Sequence, residues 1–594
     1  MHCHAWRKRL GYSLLGFSPP CPSSAPQHCP PCAQLQVSAR ENEPSNTHLE
    51  FRPPPPTMRL RDIFHKRRNG KSGSVNLQLP DDIIYELFEA AAVVYPPRSL
   101  VKMHKYVRGE RAPKHTSLGW IILTHVCRSW RHIGLSATLA PLWASVVCFS
   151  KRYWVINQLS LRAQGCPVTI DLSRFNDNGG SSGRRGRDPR RLEDWACGNM
   201  KSVGALIEPG MTLLNRLKWE RFVLPNLREI RLGADVPENF NPQWELPGLR
   251  SAWLCQKLIP HSLVVTLREL HLRLWTGLIP LALVHDFLRA CPYLEILDMD
   301  VTGDWPHEDA PDDTRPESVH PVEPETIVLD HLRRAKLSLR SVQTVRDLWL
   351  PIHSPPELSF QLAFWSSRYH KPLPRVRDLL DASKREMDLA LYDGLEVSKR
   401  GIWYLHFSSS STNASCWLSW STDDDARKTI LSLLSSYIPT ALPHITTLTL
   451  ESIASNIAQI DETPGALGCA LTKVTTLILR DMHFWDAALY AHALRPTEVS
   501  PVLPALQNVR MTNIHITAAE RPGLSQTRQW WIMLGSALVA RREAGLGSLE
   551  RLILDGKWSV KGVWSEIEDR DSKEMCKARG IVQDLVDKRV WVMM

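Results

Sequence analysis

One short pattern, an aliphatic residue followed by x-x-aliphatic-x-aliphatic, recurs nine times and limits what this chain can fold into. It stands at Leu227-x-x-Ile230-x-Leu232, Leu249-x-x-Ala252-x-Leu254, Leu267-x-x-Leu270-x-Leu272, Leu294-x-x-Leu297-x-Met299 and, weakly, Leu332-x-x-Ala335-x-Leu337. It returns at Ile445-x-x-Leu448-x-Leu450, Val474-x-x-Leu477-x-Leu479, Leu506-x-x-Val509-x-Met511 and Leu549-x-x-Leu552-x-Leu554. The alternation at the end of each copy has the period of a strand with one buried face. Five copies also carry a proline two residues ahead of the first aliphatic: Pro225, Pro247, Pro292, Pro443 and Pro504. A leucine-rich chain produces some alternation by chance, but the proline offset is a second, independent signal. Between copies, the run from Leu281 to Cys291 has helical spacing and ends at Pro292, which a helix cannot pass easily.

This pattern resembles leucine-rich repeats, in which Leu-x-Leu is a short strand and the preceding segment a helix. Copies start 22, 18, 27 and 38 residues apart, then 113, then 29, 32 and 43. The usual period is about 20–29, so the resemblance implies an irregular solenoid. Each unit leaves an apolar face that only its neighbours bury, so the strands should stack side by side and parallel. The residues between the aliphatics then line one surface: Arg231, Trp253, His271, Asp298, Lys336, Thr449, Ile478, Arg510 and Ile553. Of these, Arg231, Trp253, His271, Asp298, Lys336 and Arg510 are the candidate contacts to a target protein. Two interruptions break the array. Residues 304–325 hold eight Asp/Glu and five Pro, which predicts a disordered acidic loop. Residues 355–440 predict a β insertion with strands at Met387–Tyr392, Ile402–Phe407 and Cys416–Trp420. After Trp558 the charged sequence predicts a helical cap, with Trp564, Ile567, Ile581, Leu585 and Val586 sealing the last unit.

Upstream lies a different kind of segment. Leu79-Pro80 precedes the acidic pair Asp81-Asp82, which suits a helix N-terminus. Ile83, Ile84, Leu87, Phe88 and Ala91 follow at helical spacing. A second stripe, Ile122, Val126, Trp130 and Ile133, recurs at nearly four-residue intervals. Residues 79–143 are too few to bury all this apolar surface alone, so a partner or the following domain must cover part of it. The order Leu79-Pro80, then Val126-Cys127-Arg128-x-Trp130-Arg131, then Pro141-Leu142-Trp143 resembles an F-box, the helical module that docks on the Skp adaptor of cullin-type ubiquitin ligases. The resemblance implies that Leu79, Pro80, Ile83, Ile84, Leu87, Val126, Cys127, Trp130, Leu142 and Trp143 bind that adaptor. Residues 93–117, with Pro96, Pro97 and a basic run, depart from the family's short link and read as a solvated insertion.

Composition bounds the remainder. With 594 residues, 43% hydrophobic and 23% charged, the chain has material for two or more units. No apolar run approaches the roughly 18–20 residues of a membrane span, and the N-terminus lacks a clean signal core, so an intracellular protein, cytoplasmic or nuclear, is expected. The 13 cysteines are scattered, which predicts reduced thiols. The net charge of +10 sits in two segments, 59–115 and 184–191, rather than on a folded face, which argues against a nucleic-acid partner. Arg67-Arg68-Asn69-Gly70-Lys71 is either an import signal or a solvated loop. Residues 1–57 are rich in Pro and Cys without period and should be disordered. Cys29 and Cys32 form one metal-like pair without a second, and translation can start at Met1 or Met58.

Catalytic motifs are poor. Gly179-Gly180-Ser181-Ser182-Gly183 matches the hydrolase elbow literally, but no strand, turn and helix surround it. Gly70-Lys71-Ser72 ends like a phosphate loop without its first glycine. No His-Glu-x-x-His helix occurs, and Asn413-Ala414-Ser415 matters only in a secreted protein. No catalytic residue, cofactor or metal site is therefore expected.

The expected fold is α+β, a short helical F-box-like module followed by an irregular α/β leucine-rich-repeat-like solenoid. Its parts are a tail (1–57), a basic linker (58–78), the F-box-like domain (79–147), a first repeat region (148–354), the β insertion (355–440), a second repeat region (441–557) and a cap (558–594). The combination is similar to F-box proteins of fungi. It implies a non-enzymatic adaptor that binds the Skp adaptor and cullin ligase through one end and an unknown target through the other. The alternatives are an interaction scaffold that recruits no ligase, or an enzyme built on the Gly179–Gly183 loop.

Overall fold

The computed structural model describes residues 79–97, 118–150, 152–173, 189–209, 213–215, 221–233, 244–256, 258–260, 263–275, 279–302, 326–364, 376–389, 391–399, 402–420, 434, 437–451, 471–482, 503–516, 525–560 and 565–593. The tail, the basic linker, most of the 93–117 insertion, the acidic loop, Gly179–Gly183 and Trp564 lie outside them. The chain divides into two compact units, Met1–Gly134 and Leu135–Met594.

In the first unit, Pro80 sits at the N-cap of α1 (Asp81–Val94), with Asp81 and Asp82 in its first turn facing the positive end of the helix dipole. Ile84 and Phe88, one helical turn apart, are buried. Each such side chain contributes about 1.5–3 kcal/mol on leaving water. The Phe88 ring meets Trp120 edge-on at 6.1 Å and Trp130 at 6.3 Å. The second stripe differs from its expected course. Gly119–His125 forms a 3-10 helix and α2 (Arg128–Gly134) starts only after Val126 and Cys127. A 3-10 turn holds about three residues, so Trp120 and Leu123 align inward with Ile133 while Ile122 and Val126 face solvent. Gly119 makes the chain's return possible: its φ is +55°, and a Cβ there would lie 2.3 Å from the Tyr95 carbonyl oxygen.

The second unit opens with α3 (Ala140–Ser145), α4 (Tyr153–Arg162) and α5 (Pro189–Asn199) and is organised around one mixed, mostly parallel sheet of seventeen strands. They are β1 (Val168–Asp171), β2 (Val203–Ile207), β3 (Glu229–Leu232), β4 (Ser251–Cys255), β5 (Glu269–Trp275), β6 (Ile296–Thr302), β7 (Arg334–Leu339), β8 (Ser359–Phe364), β9 (Gly394–Lys399), β10 (Trp403–Ser408), β11 (Ser415–Trp420), β12 (Thr447–Glu451), β13 (Thr476–Arg480), β14 (Asn508–Thr512), β15 (His515–Ile516), β16 (Leu549–Val560) and β17 (Val582–Met593). From β1 to β8 the strands pair in chain order, all parallel. The chain then skips two places: β11 lies beside β8, β10 is antiparallel to both its neighbours, and β9 lies beside β12. Parallel order resumes through β13, β14, β16 and β17.

Each of the nine motif copies ends in one of these strands, and local chemistry explains why. The first aliphatic closes a four-residue turn onto the residue three before it, as in Leu227 N–H to Leu224 O (3.2 Å), Leu249 to Leu246 (3.2 Å), Leu294 to Cys291 (3.2 Å) and Leu506 to Leu503 (3.1 Å). Proline takes the second position of these turns, where its fixed φ suits the geometry and its missing N–H costs nothing. Both turn aliphatics and the next two at alternate strand positions are buried. Against that face pack α6 (Leu281–Arg289) through Val284, Phe287 and Leu288, and α7 (Val342–Trp349), whose Trp349 lies 4.9 Å from Phe360 of β8. The second half is covered by α10 (Gln526–Glu543), with Trp530 5.5 Å from Trp558 of β16.

Two segments depart from expectation. Met387–Tyr392 is not a strand: α8 (Val376–Ala382) and α9 (Lys384–Met387) lead into it, its described residues after Met387 belong to no helix or strand, and Tyr392 is held inward by a hydrogen bond from its hydroxyl to Glu386 O. The three strands that follow are continuous with the main sheet. At the C-terminus, α11 (Glu566–Ala578) is followed by strand β17 where further helix was expected, and Ile567 is exposed. Charge explains the misreading. In register with Leu549, Leu552 and Leu554, β17 carries Val582, Leu585 and Asp587, so a carboxylate replaces the third aliphatic.

Candidate interaction surfaces

In the helical unit, the candidate adaptor-binding residues separate by burial. Leu79, Ile83 and Leu87 recur every four residues and are 40%, 38% and 39% exposed, one line along the helix and the residue before it. Pro80, Val126 and Cys127 are also exposed, and Trp130 is partly so. Ile84, by contrast, is 1% exposed and belongs to the core. Leu142 and Trp143 fall in the second unit, where Leu142 is partly exposed and Trp143 is 0% exposed, covered by the Arg162 guanidinium 4.8 Å from its ring. The burial of Ile84 and Trp143 removes both from any docking face. Leu118 and Ile122 are exposed apolar residues absent from the candidate set. Leu118 stands at the N-cap of the 3-10 helix and Ile122 lies within it.

In the sheet unit, all nine candidate face residues stand in one register row. Arg231 pairs with Trp253, Trp253 with His271, His271 with Asp298, and Asp298 with Lys336. Further along, Thr449 pairs with Ile478, Ile478 with Arg510, and Arg510 with Ile553. The row continues across the strands that carry no motif, through Gln361, Trp417, His406 and Glu396. Those four were missed because β8 to β11 lack the six-residue pattern.

The row is electrostatically ordered at its first end. The Arg231 guanidinium lies 4.7 Å over the Trp253 ring, and its Nε donates to Glu229 Oε1 at 2.5 Å. The Trp253 and His271 rings stack at 3.6 Å and 16°. His271 Nε2 lies 2.9 Å from Glu269 Oε1 and its Nδ1 3.4 Å from Asp298 Oδ2, which also faces Lys336 Nζ at 3.8 Å. The Arg231–Glu229 and Lys336–Asp298 contacts are surface ion pairs worth about 0–1 kcal/mol each. Together they fix side-chain positions, so a ligand would not have to order them. Arg510 is likewise held, by Asp555 Oδ2 at 2.5 Å.

Two buried polar groups elsewhere in the unit tie neighbouring elements together. Glu386 accepts from Trp349 Nε1 (2.8 Å) and Arg385 Nε (2.6 Å). Buried Arg541 donates to Leu503 O at 2.7 Å and Pro504 O at 3.1 Å, satisfying a turn's carbonyls. Burial lowers the His285 pKa and pushes the Cys291 thiol up to about 12, so the imidazole is neutral and the thiol protonated at neutral pH. Among the described residues, no three His, Cys, Asp or Glu side chains form a metal-binding group, and no helix is long and apolar enough to cross a membrane.

No family model matches the chain, and no curated protein matches it.

Proposed function

We propose that this protein is a substrate-recruiting adaptor of a Skp–cullin–F-box type ubiquitin ligase, intracellular and without catalytic groups or cofactor of its own. The observation that carries this reading is the apolar line Leu79, Ile83 and Leu87, left in solvent on the segment whose residues resemble an F-box. An exposed apolar line on a helix that buries only Ile84 and Phe88 is the kind of surface a partner covers. The irregular leucine-rich-repeat-like region then holds a target protein on the register row through Arg231, Trp253, His271, Asp298, Lys336 and Arg510. Its ordered charges favour a polypeptide partner over an apolar small molecule. Tethering raises the effective concentration of the target's lysines at the ligase.

Binding of the purified chain to a Skp-type adaptor tests the reading. Replacing Leu79, Ile83 and Leu87 together with Ala should weaken that binding at least a hundredfold, because truncating central apolar anchors costs about 2 kcal/mol or more for the strongest among them. All three are exposed, so the melting temperature should hold within a few degrees. Undiminished binding by the triple variant overturns the proposal. A scaffold that recruits no ligase is the second reading, favoured by the inward packing of Ile84 and Trp143.

A further inference from the structure

The residue just after each first aliphatic forms a line of its own along the rim of the sheet, one position ahead of the strands. In the first half this line runs Arg228, Arg250, Arg268, Glu295, Arg333. Backbone bonds hold it in register: the Arg250 N–H donates to Arg228 O at 2.9 Å, Arg268 to Arg250 at 2.8 Å, Glu295 to Arg268 at 2.8 Å and Arg333 to Glu295 at 2.8 Å. Successive side chains therefore start one strand spacing apart, about 4.8 Å. All four arginines are exposed.

The fold itself does not require these arginines. In the second half the same backbone ladder is built from Thr446, Thr475, Gln507 and Glu550, with an N–H to O distance of 2.9 Å at each step and no cation among the four. Nor do the nearby carboxylates neutralise the line. Glu229 is engaged by Arg231 at 2.5 Å, Glu269 by His271 at 2.9 Å, Glu245 by Arg221 at 2.7 Å and Glu295 by Arg268 at 2.6 Å. Among the described residues, the Arg228 and Arg250 side chains have no hydrogen bond, ion pair or ring contact. Like charges held side by side repel, and an anion laid across the two would relieve that repulsion.

We propose that this rim binds an acidic segment of the recruited protein, an extended stretch in which Asp or Glu alternates with uncharged residues, with successive carboxylates on Arg228 and Arg250. Residues i and i+2 of an extended chain share a face about 6.6–6.8 Å apart, a distance that two long side chains starting about 4.8 Å apart can match. Each guanidinium can give one carboxylate two parallel N–H bonds. The flanking Glu229 and Glu269 favour such a spaced pattern over a nucleic-acid strand, which brings one charge about every 3.4 Å. The proposal rests on the reading that the sheet unit holds a target, yet its test needs no ligase subunit.

The test is fluorescence anisotropy of a fluorescein-labelled peptide of alternating Glu and Ser, titrated with the full chain at low ionic strength. Saturable binding is expected, about threefold weaker in Arg228→Gln or Arg250→Gln and about tenfold weaker when both are replaced. Arg480→Gln, which removes the same charge on β13, should change nothing. Equal binding by the wild type and the double variant overturns the proposal, as does the absence of binding. A single-stranded oligonucleotide of equal length, bound as tightly and with the same loss in the double variant, overturns it as well. Should the double variant not fold, Arg228→Gln decides alone. Failure of peptide binding with Skp-adaptor binding intact faults this proposal only, and the reverse faults only the adaptor reading.

Discussion

Gly556 shows how much of the fold depends on single backbone positions. Its φ is +76°, and a Cβ would stand 2.3 Å from Asn513 Oδ1. Asn513 itself has φ +55°, donates through Nδ2 to Asp481 Oδ1 at 2.9 Å and accepts from the Lys557 N–H at 2.7 Å. Gln256, Asp481, Asn513 and Gly556 each stand seven residues after a first aliphatic, and all four are left-handed. The repeat therefore places a left-handed residue just past β4, β13 and β14, and in β16 the same conformation falls within the strand at Gly556. Gly and Asn hint at that conformation in sequence, and Gln256 hides it. Replacing Gly556 with Ala should destabilise the sheet unit by about 1–3 kcal/mol, measured by denaturant unfolding. An unchanged midpoint would show that the turn relaxes freely.

Among the elements, motif-bearing strands were legible because spacing and proline agree. The others failed for identifiable reasons. In β8 the turn residue Leu358 sits two positions before Phe360 rather than three, and in β9 the first aliphatic is replaced by Tyr392. In β17 it is Asp587 that breaks the pattern. That carboxylate belongs to a cluster in which Lys573 bridges Asp569 and Asp587 at 2.5 Å, and Arg589 bridges the same two at 2.6 Å. Burial alone would raise the Asp587 carboxyl, but hydrogen bonds from Arg589 and Lys573 outweigh it and hold the carboxyl well below the usual range. Its stabilising contribution is therefore complete above the unfolded value of about 3.9 and is lost as pH falls through the lower folded value. Acidification well below pH 4, through the lowered folded value, should release α11 and β17, read as a change in the fluorescence of Trp558 and Trp591. Asp587→Asn should be less stable at neutral pH and lack that acid step. An acid transition identical in both proteins would assign it to other groups.

For the whole molecule, the sequence led to a mixed α and β fold with a large parallel sheet, and to one face of it residue by residue. The row from Arg231 to Ile553 could be read because strand alternation leaves no choice of face once the aliphatics are buried. The exposed apolar line of the helical unit was less legible, since the boundary between core and solvent along α1 runs between Ile83 and Ile84, which have the same chemistry. The adaptor account joins these two surfaces and predicts that holding and recruiting are separable. The most direct measurement is the ubiquitination of proteins captured by the full chain in cells, compared between the wild type and the variant with Leu79, Ile83 and Leu87 replaced by Ala. The account predicts that the same partners are captured by both, modified with the wild type and unmodified with the variant. Equal modification and turnover of every captured partner in the two cases would contradict it.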